Sequence, residues 1–512
     1  MSSYPLFQTA SWIFQNARSV KGRQANVQLK GHLKSGLLLS VGGAVGALST
    51  FARNIIIARM ISVEDFGIAA TFAITMALIQ MSTGLGVDRL IVQAVDGNEP
   101  KMQSTVQAFN ILRGLLLAII LYAVAGPVAN LFGVPELIWA FQWLAVLPLI
   151  TGFVHMDPAR FQRQMRFGPS VASENIPQVL TVLAAAPLAL YLGDYRVMLW
   201  VITLQAVTTV VISFLTAERR YSVALSKQYL HRIFSFGWPL MLNGILLFGI
   251  FQADRGIVGI VYSMEDLGWF SAAFTLTLFP SMVLANAAQS FFMPMLAKDQ
   301  ADPARLQTAS IATMKACLLI GICISVGLAL SGPAFLLLLF GENYIGGVAI
   351  MAWLALMQGL RMAKAGPTIV AISCGKTKLP LYANIIRSFA LVIALYAVWR
   401  GWGVFGIVMG GIIGEAMAVI FFIILIKRNF SMDLSLLYKS VLISIVVVGL
   451  AVALSTRFAT GQDPIIEIVG ATGITLVALG LFMLTARDLV KWLRRPADGE
   501  EGAASVATAV EK

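Results

Sequence analysis

The chain has 512 residues, 58% of them hydrophobic and 12% charged, with a mean hydropathy of +0.82. Soluble domains run near half apolar and a quarter charged, so a soluble globular fold is excluded and an all-α polytopic membrane protein is predicted. The formal charge of +12 is spread over the segments between apolar runs, so no nucleic-acid partner is expected.

The N-terminal segment, 1–35, carries Arg18, Lys21, Arg23, Lys30 and Lys34 ahead of the first apolar run. That run has no small-residue cleavage site and is followed by many others, so it reads as a retained span and not as a signal peptide. About 20 mainly apolar residues cross a bilayer as a helix. On that rule about fourteen spans are predicted: 36–58, 67–86, 112–132, 137–156, 172–192, 197–216, 236–261, 268–290, 312–339, 347–371, 380–399, 403–426, 439–456 and 465–485. Segment 487–512, rich in Ala, Gly and acidic residues, is expected to be a disordered tail. Cys317, Cys323 and Cys374 lie on apolar segments without a CxxC spacing, which implies neither a disulfide framework nor a thiolate metal site.

The chain repeats itself. Shifted by 201 residues, Ser62-Val63-Glu64-Asp65-Phe66-Gly67 falls on Ser263-Met264-Glu265-Asp266-Leu267-Gly268, and Arg53-Asn54 falls on Asp254-Arg255. The first and second spans are thus matched by the seventh and eighth. Six intervening helices preserve orientation, so two parallel six-helix halves are predicted, 36–216 and 236–426, joined by a basic linker, 217–235, and followed by two further helices in 427–486. Lysine and arginine collect in the terminal segments and the loops after even-numbered spans, whereas the opposite side holds only Arg59, Arg196, Arg400 and Arg457. Both termini are therefore expected in the cytoplasm, with the basic loops against anionic membrane lipids. Loops on the other side are too short to build an external domain.

Charges inside spans are costly and mark function or pairing. Arg53 lies about 9 Å inside the first span at 1.5 Å per residue. It faces a water-filled cavity, or it snorkels, or it pairs with Asp254 of the seventh span. Asp254 and Arg255 are sequence neighbours and point in different directions, so at least one needs a partner elsewhere. In the tenth span Arg361 and Lys364 share a face beside Gly366-Pro367, where the helix is expected to break or kink. They form an entry point for an anionic headgroup, or else flank a helix that ends early. Glu415 follows a small-residue ridge, Gly406, Gly410 and Gly414; Glu415 and Asp254 are candidates for proton or sodium coupling, or are counter-ions to basic side chains. His155 has no second metal ligand at suitable spacing. No nucleotide-binding motif or nucleophile elbow is present, so no cofactor is expected, and energy would come from an ion gradient, the membrane potential or the substrate gradient.

The stretch from Phe51 to Gly67, with Arg53-Asn54, Arg59 and the Ser62-Val63-Glu64-Asp65-Phe66-Gly67 turn, resembles the opening helix and turn of the bacterial polysaccharide transporter family. These are the lipid-linked oligosaccharide flippases of the multidrug/oligosaccharidyl-lipid/polysaccharide exporter superfamily, and the resemblance covers about residues 30–490. It implies two six-helix bundles in a V plus two C-terminal helices, in the bacterial inner membrane. The expected activity is movement of undecaprenyl-diphosphate-linked repeat units for lipopolysaccharide or exopolysaccharide synthesis, without enzymatic chemistry. A polymerase and a chain-length regulator are the implied protein partners. Arg53 and Arg255 resemble cavity arginines of related lipid flippases, whereas Arg361 and Lys364 match no family pattern. The excess of intramembrane basic over acidic residues disfavours a cation or drug antiporter, and the short outer loops disfavour a polymerase. A cell-wall precursor flippase is the nearest alternative.

Overall fold

A computed structural model of the chain describes residues 41–458 apart from 431, and 464–486. The N-terminal segment, residues 36–40 of the first predicted span and the tail from 487 lie outside the described residues. Each predicted span is built of helix over most of its described length, and among the described residues there are no strands. Among the described residues twelve helices are long and apolar enough to cross a membrane, and Pro135–Thr151 and Ile468–Leu484 are shorter apolar helices. The chain is an all-helical polytopic membrane protein.

The first half comprises α1 (Val41–Met60), α2 (Val63–Thr83), α3 (Val87–Gln93), α4 (Pro100–Leu131), α5 (Ile138–Leu144), α6 (Val146–Thr151), α7 (Asp157–Arg163), α8 (Gly168–Leu192) and α9 (Arg196–Leu215). The second comprises α10 (Lys227–Val261), α11 (Met264–Lys298), α12 (Pro303–Phe340), α13 (Val348–Ser373), α14 (Lys378–Ser388), α15 (Ala390–Trp399) and α16 (Gly403–Phe430). Helices α17 (Ser435–Phe458) and α18 (Pro464–Thr485) pack on α12 and on each other.

Three local differences from the predicted elements have clear causes. The fourth span divides at Ala145, because Pro148 has no N–H to donate to Leu144, and the helix stops at Thr151, leaving His155 beyond it. The linker is shorter than predicted: Lys227 already opens α10, whose Tyr229 and Ile233 are buried against Leu90, Met102 and Val106 of the first half. Helix α13 does not break at Gly366-Pro367 but continues to Ser373. There Gly366 lies so close to Met314 that a Cβ would press on that backbone.

The repeat is written into the contact between halves. Ser62 and Ser263 cap α2 and α11 identically, each accepting from the backbone N–H of Asp65 or Asp266 at 3.0 Å. Such a cap contributes about 1 kcal/mol. A Cβ on Gly67 would overlap the Met264 carbonyl, and one on Gly268 would overlap the Val63 carbonyl. These four positions exchange under the 201-residue shift, so the contact is reciprocal, as a two-fold axis along the bundle requires. The same end is closed by Tyr344 Oη donating to Ala58 O at 2.9 Å and Arg59 Nη1 to Leu338 O at 2.7 Å. It bears the short turns; the opposite end bears the longer basic segments.

Candidate functional site: a cationic cavity and a buried charge cluster

A cavity of about 460 Å³ lies in the first half, walled by α1, α2, α4, α6 and α9 and closed by Arg255 and Thr275 from the second. Its lining holds three arginines, Arg53, Arg113 and Arg255, a set of neutral polar side chains including Asn54, Gln80, Asn110 and Gln205, and no carboxylate. Arg53 is 8% exposed, and its Nη1 donates to Gln205 Oε1 at 2.9 Å while its Nε has no partner. Arg255 donates to Ser271 Oγ and Gln252 Oε1, both at 3.3 Å. Neither makes an ion pair among the described residues. Arg53 and Arg255 lie at similar depth, about 10 Å and 9 Å from the short-turn ends of their helices.

Thr50, Asn54 and Thr275 also border a groove of about 1000 Å³ between α1 and α11. Phe51 stacks on Phe279 across it, ring centroids 4.4 Å apart. Elsewhere the halves meet tightly. On the basic side of α2, a Cβ on Gly244 would overlap the Met81 carbonyl and Gly237 touches Leu85, whereas the side of the cavity facing α1 and α11 adjoins the groove.

Asp254 does not pair with Arg53. A residue step of about 100° on α10 sends Arg255 to the cavity and Asp254 into the core of the second half. There Asp254 Oδ2 lies 3.7 Å from Arg387 Nη2. Glu415, fully buried on α16, accepts from Arg361 Nε at 2.8 Å, Lys364 Nζ at 2.9 Å and Arg387 Nε at 3.1 Å. Three cations thus surround two carboxylates. Arg361 and Lys364 do share a face, but that face is spent on Glu415, and neither lines the cavity. Glu415 sits as the counter-ion of the cluster.

Sequence reasoning passes over two arginines that stand near the basic ends of predicted spans. Arg113 is the second residue of the predicted span 112–132 and reads as a flanking charge, yet α4 begins at Pro100 and carries Arg113 well inside the helix. Arg387, in the predicted span 380–399, counts with the basic loop before it and is completely buried on α14. The available signal was the row Gln103, Gln107, Asn110 and Gly114, which keeps helical spacing through the polar stretch.

A third polar node lies at the basic end. Asp157, fully buried, accepts from Arg160 at 2.6 and 3.2 Å, Gln103 at 3.0 Å and the backbone N–H groups of Glu218 and Arg219 at 2.8 Å each. Burial alone would raise its carboxyl, but these donors outweigh it and hold the group well below the usual carboxylate range. His155 Nδ1 accepts from the Asp157 backbone N–H at 3.1 Å, so Nε2 carries the proton and donates to Arg219 O at 3.1 Å. Burial holds the His155 imidazole below its ordinary value, against the pull of Asp157. The node therefore ties the segment that joins the halves to α4 and α7.

An all-helical fold of two related halves around a cavity free of carboxylates defines a class of polytopic membrane proteins that known transporters share. Two solved structures share the fold: the lipid II flippase MurJ in an inward closed conformation, with a TM-score of 0.69 at 14% identity over 89% of this chain and 100% of that one, and an inward-facing multidrug resistance MATE transporter of the MOP superfamily, at 0.64 and 16% over 75% and 94%. Residues 56–349 match the model of the polysaccharide biosynthesis protein family, and the chain belongs to that family. Its relatives include the succinoglycan biosynthesis transport protein ExoT of Rhizobium meliloti, 25% identical and covering 88% of this chain and 93% of ExoT. The amylovoran biosynthesis protein AmsL of Erwinia amylovora is 24% identical over 58% of this chain and 78% of AmsL.

Proposed function

We propose that the protein is a secondary-type flippase that carries undecaprenyl-diphosphate-linked oligosaccharide repeat units across the bacterial inner membrane for polysaccharide export, driven by a proton or sodium gradient, with both termini cytoplasmic. The observation that carries this reading is the pair Arg53 and Arg255, one from each half, at matching depth in one cavity with no carboxylate to neutralise them. A diphosphate is an anion that hydrocarbon excludes, and paired guanidiniums offer it bidentate, charge-assisted hydrogen bonds. The lateral groove between α1 and α11 lets the polyprenyl chain stay in lipid while the head group occupies the cavity. Because the arginines come from opposite halves, separating the halves weakens the grip, which is what release on the far side needs. Family membership and the relative named as a succinoglycan transport protein support the polysaccharide branch.

The test is movement of a diphosphate-linked oligosaccharide between leaflets of vesicles containing the purified protein. Arg53→Ala and Arg255→Ala should each reduce flipping at least about tenfold at normal abundance, and lysine should restore it only in part. Equal loss for a neutral lipid analogue would show that the arginines maintain structure and do not recognise the anion.

A further inference from the structure

The third cavity arginine is not accounted for by the diphosphate. Arg113 lies about 27 Å from the short-turn end of α4 at 1.5 Å per residue, against about 10 Å for Arg53, so about 17 Å of depth separate them. The ends of α4 and α10 are level, since Phe132 after α4 packs on Gly259 near the end of α10, and Arg113 Nη1 meets Thr83 O at the far end of α2. Two phosphorus centres joined through one oxygen cannot reach both places. Nor does the charge fit: a diphosphate esterified at both ends carries two negative charges, which Arg53 and Arg255 match. Arg113 spends only Nη1, on Thr83 O at 3.1 Å, and its buried Nε has no partner. Asp88 at the start of α3 acts on it through space but forms no ion pair with it and is outside the lining.

The unpartnered groups continue along the same face of α4. Asn110 is 4% exposed with Oδ1 unpartnered, and one turn further Gln107 is 1% exposed with both amide atoms unpartnered. A buried polar atom left without a partner costs about 1–3 kcal/mol, and of this row Asn110 and Arg113 reach the cavity wall, where Asn110 Oδ1 is set for a donor and Arg113 Nε for an acceptor.

We propose that the α4 face centred on Asn110 and Arg113 is a second subsite of the cavity, that it holds the glycan head of the substrate, and that this head bears a carboxylate that pairs with Arg113. The inference rests on the flippase reading. With the diphosphate between Arg53 and Arg255 and the lipid chain leaving past α1 and α11, the sugars run toward the basic end. A sugar hydroxyl donates to Asn110 Oδ1, whose Nδ2 already donates to Met156 Sδ at 3.7 Å, and a uronic acid or similar acidic sugar supplies the third negative charge.

The test uses the full-length protein in vesicles and two polyprenyl-diphosphate lipids with the same chain: a trisaccharide ending in a hexuronic acid, and the same trisaccharide with that carboxyl reduced to an alcohol. At limiting lipid the wild type should move the acidic form about tenfold faster, as one charge-assisted hydrogen bond predicts. Arg113→Gln should slow the acidic lipid about tenfold more than the neutral one, so that the two rates converge. Should that variant not insert, Arg113→Lys, which keeps the charge, should retain part of the preference. Asn110→Ala should slow both lipids alike. Equal wild-type rates for the two lipids, or equal slowing of both by the Arg113 variants, would overturn the acidic subsite while leaving the flippase reading intact. Arg53→Ala provides the reference in which both lipids stop, and a wild type that moves neither overturns the flippase reading and this inference together.

Discussion

Arginine in this chain takes two opposed roles, separated by whether a carboxylate reaches it. Arg361, Lys364 and Arg387 converge on Glu415, and removing one partner of such a buried set leaves charges stranded, at a cost of about 3–5 kcal/mol. Glu415→Gln should therefore lower abundance and thermal stability of the purified protein severely, and adding Arg387→Met should recover part of both, because the remaining cations then have less like charge to oppose. Recovery of nothing would mean that Arg387 packs the core by shape alone. Arg53→Ala leaves no charge stranded and should insert normally. The Asp157 node sets a pH limit at the same scale. Its folded carboxyl lies below its unfolded value, so the stability it contributes is complete above the unfolded value near pH 4 and drains as pH falls further. Asp157→Asn should remove that acid-side slope, and an unchanged slope in thermal melts between neutral and acid pH would refute the assignment.

At the scale of elements, the contact between α2 and α11 is the closure of the short-turn end. Gly67 and Gly268 are required there because each faces a carbonyl of the other helix with no room for a Cβ. Gly67→Ala should force the helices apart and admit probe from that end. With Cys317, Cys323 and Cys374 replaced, a cysteine introduced by Ala70→Cys in the cavity wall should react faster with an impermeant maleimide once Gly67→Ala is added. Unchanged labelling would show that Tyr344 and Arg59 hold this end without the glycines. Helix α10 works differently, since its first turns belong to the packing of the first half, through Arg232 to Asp96 at 2.6 Å and Tyr229 to Glu99 at 2.7 Å, while its last turns carry Asp254 and Arg255. Any relative movement of the halves must therefore bend α10 or break those bonds.

For the whole molecule, the halves meet at the short-turn end and along α2 and α10, with the cavity adjoining the groove between α1 and α11. This layout suits a substrate that is part lipid and part polar head, because neither portion has to enter the other's solvent. The positive-inside pattern predicts that tags after residues 134, 194 and 342 report one side of the membrane and tags after 98, 164 and 376 the cytoplasmic side. Two of the first three reporting the cytoplasm would undo the parallel relation between halves.

Much of this was legible in the amino-acid order. Bilayer thickness sets span length, so hydropathy alone located the spans, and the 201-residue shift located the symmetry because the capping chemistry of Ser62 with Asp65 is local and recurs at Ser263 with Asp266. The presence of charge at Arg53, Asp254, Arg255, Arg361, Lys364 and Glu415 was equally plain. Which charge met which was not, because pairing depends on side-chain direction and on neighbours far away in the chain. Arg53 meets Gln205 and not Asp254, and Glu415 takes up the two cations that the sequence offered as an entry point. Arg113 and Arg387 lie inside the predicted spans 112–132 and 380–399, but close enough to the basic ends to read as flanking charges. A hydropathy window ends where polar residues begin, but a helix ends only where its backbone hydrogen bonds do: α4 runs back to Pro100 and so holds Arg113 well inside it, while tertiary packing of α14 buries Arg387 completely.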